Sequence, residues 1–148
     1  TTRKVGLGLS LFAQAARACN GEVIIRSERG KGTKLVGTFQ ASHVDCKPWG
    51  SMADTLITLI AGNPDINFYY HHRKDDCTYS FDTAVIKKEL GEVPIAHPRV
   101  IDLLRGDLKD GLGQLGINSM ELLCMAILSL SGKVGPDRPM ITADSAGP

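Results

Sequence analysis

A chain of 148 residues, 43% of them hydrophobic, suits one domain, or part of one domain plus a small second one, with a packed core. Lys and Arg number 17 against 16 Asp and Glu, a formal net charge of +1, so no strong field points to nucleic acid or a membrane surface. An aromatic content of 5% argues against a base-stacking surface, and the longest apolar stretch, Met120 to Leu130, is too short to span a bilayer and is broken by Glu121 and Ser129. The opening residues do not show a signal-peptide pattern, and a cytoplasmic protein without one is expected.

The opening Thr1-Thr2-Arg3-Lys4-Val5-Gly6-Leu7-Gly8 has no leading structural element and reads as an interior start, so a fragment of a longer protein is expected. Leu9 to Cys19 is predicted as a helix, because Leu9, Phe12, Ala13, Ala16 and Cys19 fall near one face. Asn20-Gly21 stops it, both residues accepting the left-handed conformation of a helix C-cap. Glu22 to Ser27 is a predicted strand with Val23 and Ile25 on one face and Ile24 on the other. Gly30-Lys31-Gly32 turns the chain into a second strand over Lys34 to Gln40, and the two make an antiparallel hairpin.

Residues 42–51, with His43, Pro48 and Gly50, show no periodicity and are predicted as a linker. A helix over Met52 to Ala61 follows, with Met52, Leu56, Leu59 and Ile60 on its apolar face, and Gly62-Asn63-Pro64-Asp65 ends it. Ile66 to His72 and Cys77 to Phe81 are predicted partner strands around the turn Lys74-Asp75-Asp76. Asp82 or Thr83 can cap a helix running to Leu90, and Pro98 opens another to about Leu112. Ser119 is a candidate cap for a further helix through Leu130. Residues 132–148, rich in Gly, Pro, Ser and Asp, are expected to be disordered.

The cysteines, Cys19, Cys46, Cys77 and Cys124, stand 27, 31 and 47 residues apart and match no common zinc spacing. They read as structural or incidental thiols, with a disulfide or metal role as the alternative. His71-His72 with Cys77 suggests a metal site only on composition, since adjacent strand residues point to opposite faces. His43, Asp45 and Cys46 share one linker and form a similarly weak candidate. No metal site and no catalytic residue is assigned.

The informative stretch is Thr1 to Phe39, about a quarter of the chain. Gly6-Leu7-Gly8-Leu9 opens a helix, then come Asn20-Gly21, a strand, Gly30-x-Gly32-Thr33 and another strand. Glycines let a backbone approach a phosphate closely, and a helix N-terminus offers unpaired amides with a favourable dipole. The same residues also suit an ordinary tight turn, and Arg3 and Lys4 also suit solvated surface charges. This ordered set resembles the end of the GHKL ATPase fold, which groups gyrase, the heat-shock chaperone, histidine kinases and MutL. Thr1-Thr2-Arg3-Lys4 resembles the threonine-lysine segment before the second glycine box, Gly6-Leu7-Gly8-Leu9 that box, and Gly30-Lys31-Gly32-Thr33 the late Gly-x-Gly-Thr turn.

The resemblance implies an α/β (α+β) chain: residues 1–41 as part of a GHKL two-layer sandwich, helix plus hairpin, and residues 52–131 as a small α+β unit. It implies ATP with Mg as the ligand, held here by Thr2, Lys4, Gly6, Leu7, Gly8, Leu9 and Thr33. The family's Asn-bearing helix for magnesium and its Asp-x-Gly-x-Gly box for adenine are absent from the sequence, so both ATP and Mg require residues upstream. His43-Val44-Asp45 and Asp54 to Ile66 resemble, less specifically, a C-terminal extension of bacterial GHKL proteins placed near hydrogenase or complex-I-like genes. Two functions are expected. One is an ATP-binding regulator or sensor kinase of which this is the C-terminal portion. The other is a non-catalytic module whose residues 52–131 bind a protein partner.

Overall fold

The computed structural model describes residues 7–40, 43–45, 50–116, 125–130 and 140–145. They form an α+β fold of four helices and six strands. Helix α1 (Leu7–Ala18) begins two residues earlier than the apolar periodicity predicts and turns only part of the expected face inward: Ala16 and Cys19 are buried, Phe12 and Ala13 half-buried, and Leu9 exposed. Asn20 takes the left-handed conformation at φ 55°, as expected of a stop. Gly21 does not share it, and needs to be glycine for another reason: a Cβ there would run into the Thr38 carbonyl.

Strands β1 (Val23–Glu28) and β2 (Gly32–Gly37) pair antiparallel, with Ile25 opposite Leu35 and Arg26 opposite Lys34. Gly30 and Gly32 hold φ of 84° and 108°, a conformation closed to most side chains, and so make the turn. Gly37 faces α1: a Cβ on it would meet the Phe12 ring. The face holding Val23, Ile25, Ser27, Thr33, Leu35 and Gly37 is therefore the helix side, and Ile24, Arg26 and Lys34 lie on the other.

Helix α2 (Met52–Gly62) is capped by Ser51, whose Oγ accepts the Asp54 N–H at 3.1 Å. Its buried face is Ala53, Leu56, Ile57 and Ile60, slightly rotated from the predicted one, with Met52 and Leu59 at the margins. Strand β3 (Tyr69–Lys74) starts later than predicted. Residues Asn63 to Ile66 are held in a turn by Ile66 N–H to Asn63 C=O, and the Lys87 ammonium occupies the Ile66 carbonyl. Asp75, at φ 53°, turns the chain into β4 (Cys77–Asp82). Asp82 then caps α3 (Thr83–Leu90), accepting the Ala84 N–H at 2.8 Å. Pro98 opens α4 (Pro98–Gln114), and the preceding His97 caps it through Nδ1.

Two expectations fail. Met125–Leu130 is strand β5, not the end of a helix; Ser119 and the rest of that predicted helix lie outside the described residues. Met140–Ser145 is strand β6, inside the stretch expected to be disordered. The sheet runs β1-β2-β5-β6-β3-β4, so β5 and β6 stand between the two hairpins. Among the described strands only β3 and β6 pair in parallel. Both strands satisfy the backbone groups that β2 and β3 leave open on their second edges.

Among the described residues the buried cluster draws on residues 53–115. Leu56 and Ile60 from α2 meet Leu104, Leu108 and Leu112 from α4, over Tyr70 and Phe81 of the second hairpin. Ala16, Cys19 and Leu35 are buried separately, between α1 and the first hairpin. Six residues of the predicted linker, or of its margins, lie outside the described residues (41–42 and 46–49), and His43 to Asp45 form a turn. No described helix is long and apolar enough to cross a membrane.

Candidate functional site

The site predicted from the glycine pattern rests on how α1 lies over the first hairpin. Phe12 stands over Gly37 and meets the Phe39 ring edge-on at 5.5 Å. Farther along, Gln40 N–H donates to the Cys19 carbonyl at 2.8 Å. Helix α1 therefore runs in the same direction as β2, and its N-terminus lies toward the Gly30–Gly32 turn. From Phe12 back to Leu7 the helix rises about 7.5 Å. From Gly37 back to Thr33 the strand extends about 13 Å. Among the described residues the helix thus begins roughly 6 Å short of Thr33 along the strand, with a step between its first turn and the hairpin end.

Leu7, Gly8 and Leu9 occupy that first turn, with Leu7 and Leu9 57% and 53% exposed. The first turn has no acidic side chain to neutralise the helix dipole. A Cβ on Gly8 would meet nothing, so packing within the described chain does not demand glycine there. Thr33 lies on the helix side of β2, its hydroxyl 2.8 Å from that of Ser27. Thr2, Lys4 and Gly6 lie outside the described residues.

Around the same hairpin end is an open concavity of about 380 Å³ lined by Arg26, Ser27, Glu28, Lys31, Gly32, Thr33 and Lys34. Lys31 is paired with Glu28 at 2.7 Å, while Arg26 and Lys34 oppose each other directly across the ladder. Like charges in that position repel. Ser27, Arg26 and Lys34 were not singled out from the sequence. The signal was available: a turn centred on Gly30 pairs residues whose numbers sum to sixty, which sets Ser27 against Thr33 and Arg26 against Lys34.

The other candidate chemistry is dispersed. His71 bonds Ser80 at 2.8 Å on the exposed side of β3, while His72, 1% exposed, faces the core with Nδ1 2.9 Å from the Tyr70 hydroxyl. The two rings point to opposite faces, as strand geometry requires, and do not converge with Cys77, which is exposed and free. His43 and Asp45 stand 3.8 Å apart, and Cys46 lies outside the described residues. Cys19 is disulfide-bonded, the alternative reading for that thiol, whereas Cys77 keeps the first one. No group of three or more potential metal ligands occurs among the described residues. The Tyr79 hydroxyl donates to Asp107 at 2.9 Å, tying β4 to α4. Burial raises the Tyr79 phenol far above its ordinary range, and the hydrogen bond and charge of Asp107 add to this. Burial lowers the Lys87 ammonium, against a smaller opposing effect of Asp65. Comparison with known proteins finds no matching family model, no matching curated protein and no matching solved structure.

Proposed function

We propose that this chain is the C-terminal portion of a cytoplasmic, GHKL-type ATP-binding regulator or sensor kinase, and that the start of α1 takes the nucleotide phosphates. The observation that carries the reading is Gly8. It lies in the exposed first turn of a helix, where glycine weakens the helix and no described atom would collide with a side chain. A glycine kept open at a helix N-terminus free of acids is what close approach of an anion requires. Thr33, on the helix side of the same hairpin, is the residue to which the resemblance gives a place near the adenine pocket. Mg and the adenine amino group need residues upstream of Thr1.

Phosphate contacts made largely in water contribute little, and a buried base with its specific hydrogen bond contributes on the order of 1–3 kcal/mol for each part. The 148-residue chain alone is therefore expected to bind Mg-ATP at about millimolar Kd or weaker, and the chain extended upstream at about micromolar. Calorimetry on both checks this. Gly8→Leu should remove binding from the extended protein while leaving its helical content intact. Binding that survives Gly8→Leu overturns the phosphate assignment, and an extended protein that ignores ATP favours the non-catalytic partner-binding module.

A further inference from the structure

Strand β1 ends the sheet and has no second neighbour among the described residues. Thr38 N–H donates to the Glu22 carbonyl at 2.9 Å, so Glu22 and the even-numbered residues after it turn their backbone groups toward β2. Val23, Ile25 and Ser27 then direct N–H and C=O outward, unpaired among the described residues. Natural sheets guard such an edge with proline, a bulge or charge. The register here is continuous, so there is no bulge, and Val23-Ile24-Ile25 carries neither proline nor charge. Ile24 and Ile25 are 42% and 48% exposed.

Glu22, Ile24 and Arg26 share the face away from α1, and neither charged side chain has an ion pair among the described residues. Their order, acidic then apolar then basic, is its own complement when read antiparallel. We propose that β1 is a homodimerisation edge: two copies pair their β1 strands antiparallel about a two-fold axis at Ile24, continuing the sheet across the interface. In that register Val23 and Ile25 exchange both outward hydrogen bonds, twice, and Ile24 meets its own copy in the closer, non-hydrogen-bonded position. Glu22 of each copy meets Arg26 of the other, which also gives Arg26 a counter-charge against Lys34 behind it.

The alternative registers that preserve the hydrogen bonds are worse. Centring on Ile25 sets Glu22 against Glu28, and centring on Arg26 sets Arg26 against itself. Centring on Ser27 pairs Arg26 with Glu28 but places Ile25 against Arg29 and leaves Val23 and Ile24 uncovered. The pairing is isologous and closed, so it stops at two copies. It involves neither Gly8 nor Thr33 and stands apart from the nucleotide reading.

Sedimentation equilibrium of the full chain over rising concentration should show monomer and dimer only. Glu22→Arg and Arg26→Glu should each weaken the dimer by about tenfold or more, and the double exchange should restore it to within about threefold. Far-ultraviolet dichroism confirms that each variant is folded. In a Cys77→Ser background, Ile24→Cys should oxidise to a covalent dimer faster than Ile25→Cys. A chain that stays monomeric to the highest concentration overturns the proposal, as does a folded double exchange that fails to recover. Preferential cross-linking through Ile25→Cys overturns the register, and with it the charge pairing that carries the argument.

Discussion

Residues 7–40 and residues 53–115 are both built from apolar helices and antiparallel hairpins, yet among the described residues only the second region closes a core. In the second, α2 and α4 lie together over β3 and β4, and Leu56, Leu108 and Tyr70 reach 0% exposure. In the first, one helix covers one face of one hairpin. Leu7 and Leu11 stay 57% and 60% exposed, and β1 is exposed along nearly its whole length. The difference is geometric. A single helix leaves one side of itself and one face of its hairpin uncovered, and an isolated two-stranded ribbon is marginal in water. What the first region leaves uncovered is where its functional readings fall: the open helix start and the unpaired strand.

The largest contrast should come from truncating the second core. Leu108→Ala, at a fully buried site between α2 and the hairpin, is expected to cost about 2–5 kcal/mol, read as a lower urea midpoint. A cost below about 1 kcal/mol would show that the cluster is loosely packed and the contrast false. Gly111→Ala tests how tightly α4 sits on β4, because the new Cβ would meet the Tyr79 ring. Displacing that ring also breaks its bond to Asp107, and a loss of about 1–3 kcal/mol is expected in thermal or urea melts.

Alkaline titration should give a smaller effect. The folded state raises the Tyr79 phenol, so it retains a proton that the unfolded chain releases. The stabilisation is complete below the ordinary tyrosine range, about pH 10, and is lost as pH rises from there toward the folded value. Urea midpoints should therefore fall more steeply above about pH 10 in the natural chain than in Tyr79→Phe. Parallel curves would mean that the Tyr79–Asp107 bond does not persist in solution. Smallest of all, Leu7→Ala should change stability by no more than about 0.5 kcal/mol, because little of Leu7 is buried. A large loss there would reveal cover for α1 and erase the difference between the regions.

Short-range chemistry was legible element by element. Asn20, Gly30, Gly32, Asp82 and Pro98 announced stops, turns and caps, and each stands where its backbone preference placed it. The run around Met125 to Leu130 misled, because a continuous apolar stretch fits a buried helix and a buried strand equally well. Met140–Ser145 gave less warning still, being short, modestly apolar and set among loop-forming residues. Of the candidate site, Gly8 and Thr33 were visible as motif positions. Ser27, Arg26 and Lys34 became visible only once the hairpin register was applied.

The sequence by itself determined α1, both hairpins, and helices α2 to α4, because glycine, proline, caps and apolar periodicity act through neighbours within a few residues. It also set Val23 and Ile25 on one face of β1 and Ile24 on the other through strand alternation, while the approach of Phe12 to Gly37 decided which of those faces meets α1. Only the tertiary structure decided that the two hairpins share one sheet. β2 and β3 each have a second edge whose N–H and C=O groups need partners, and β5 and β6 supply them from far along the chain. That need is a property of two distant edges together, so no local stretch of sequence can carry it.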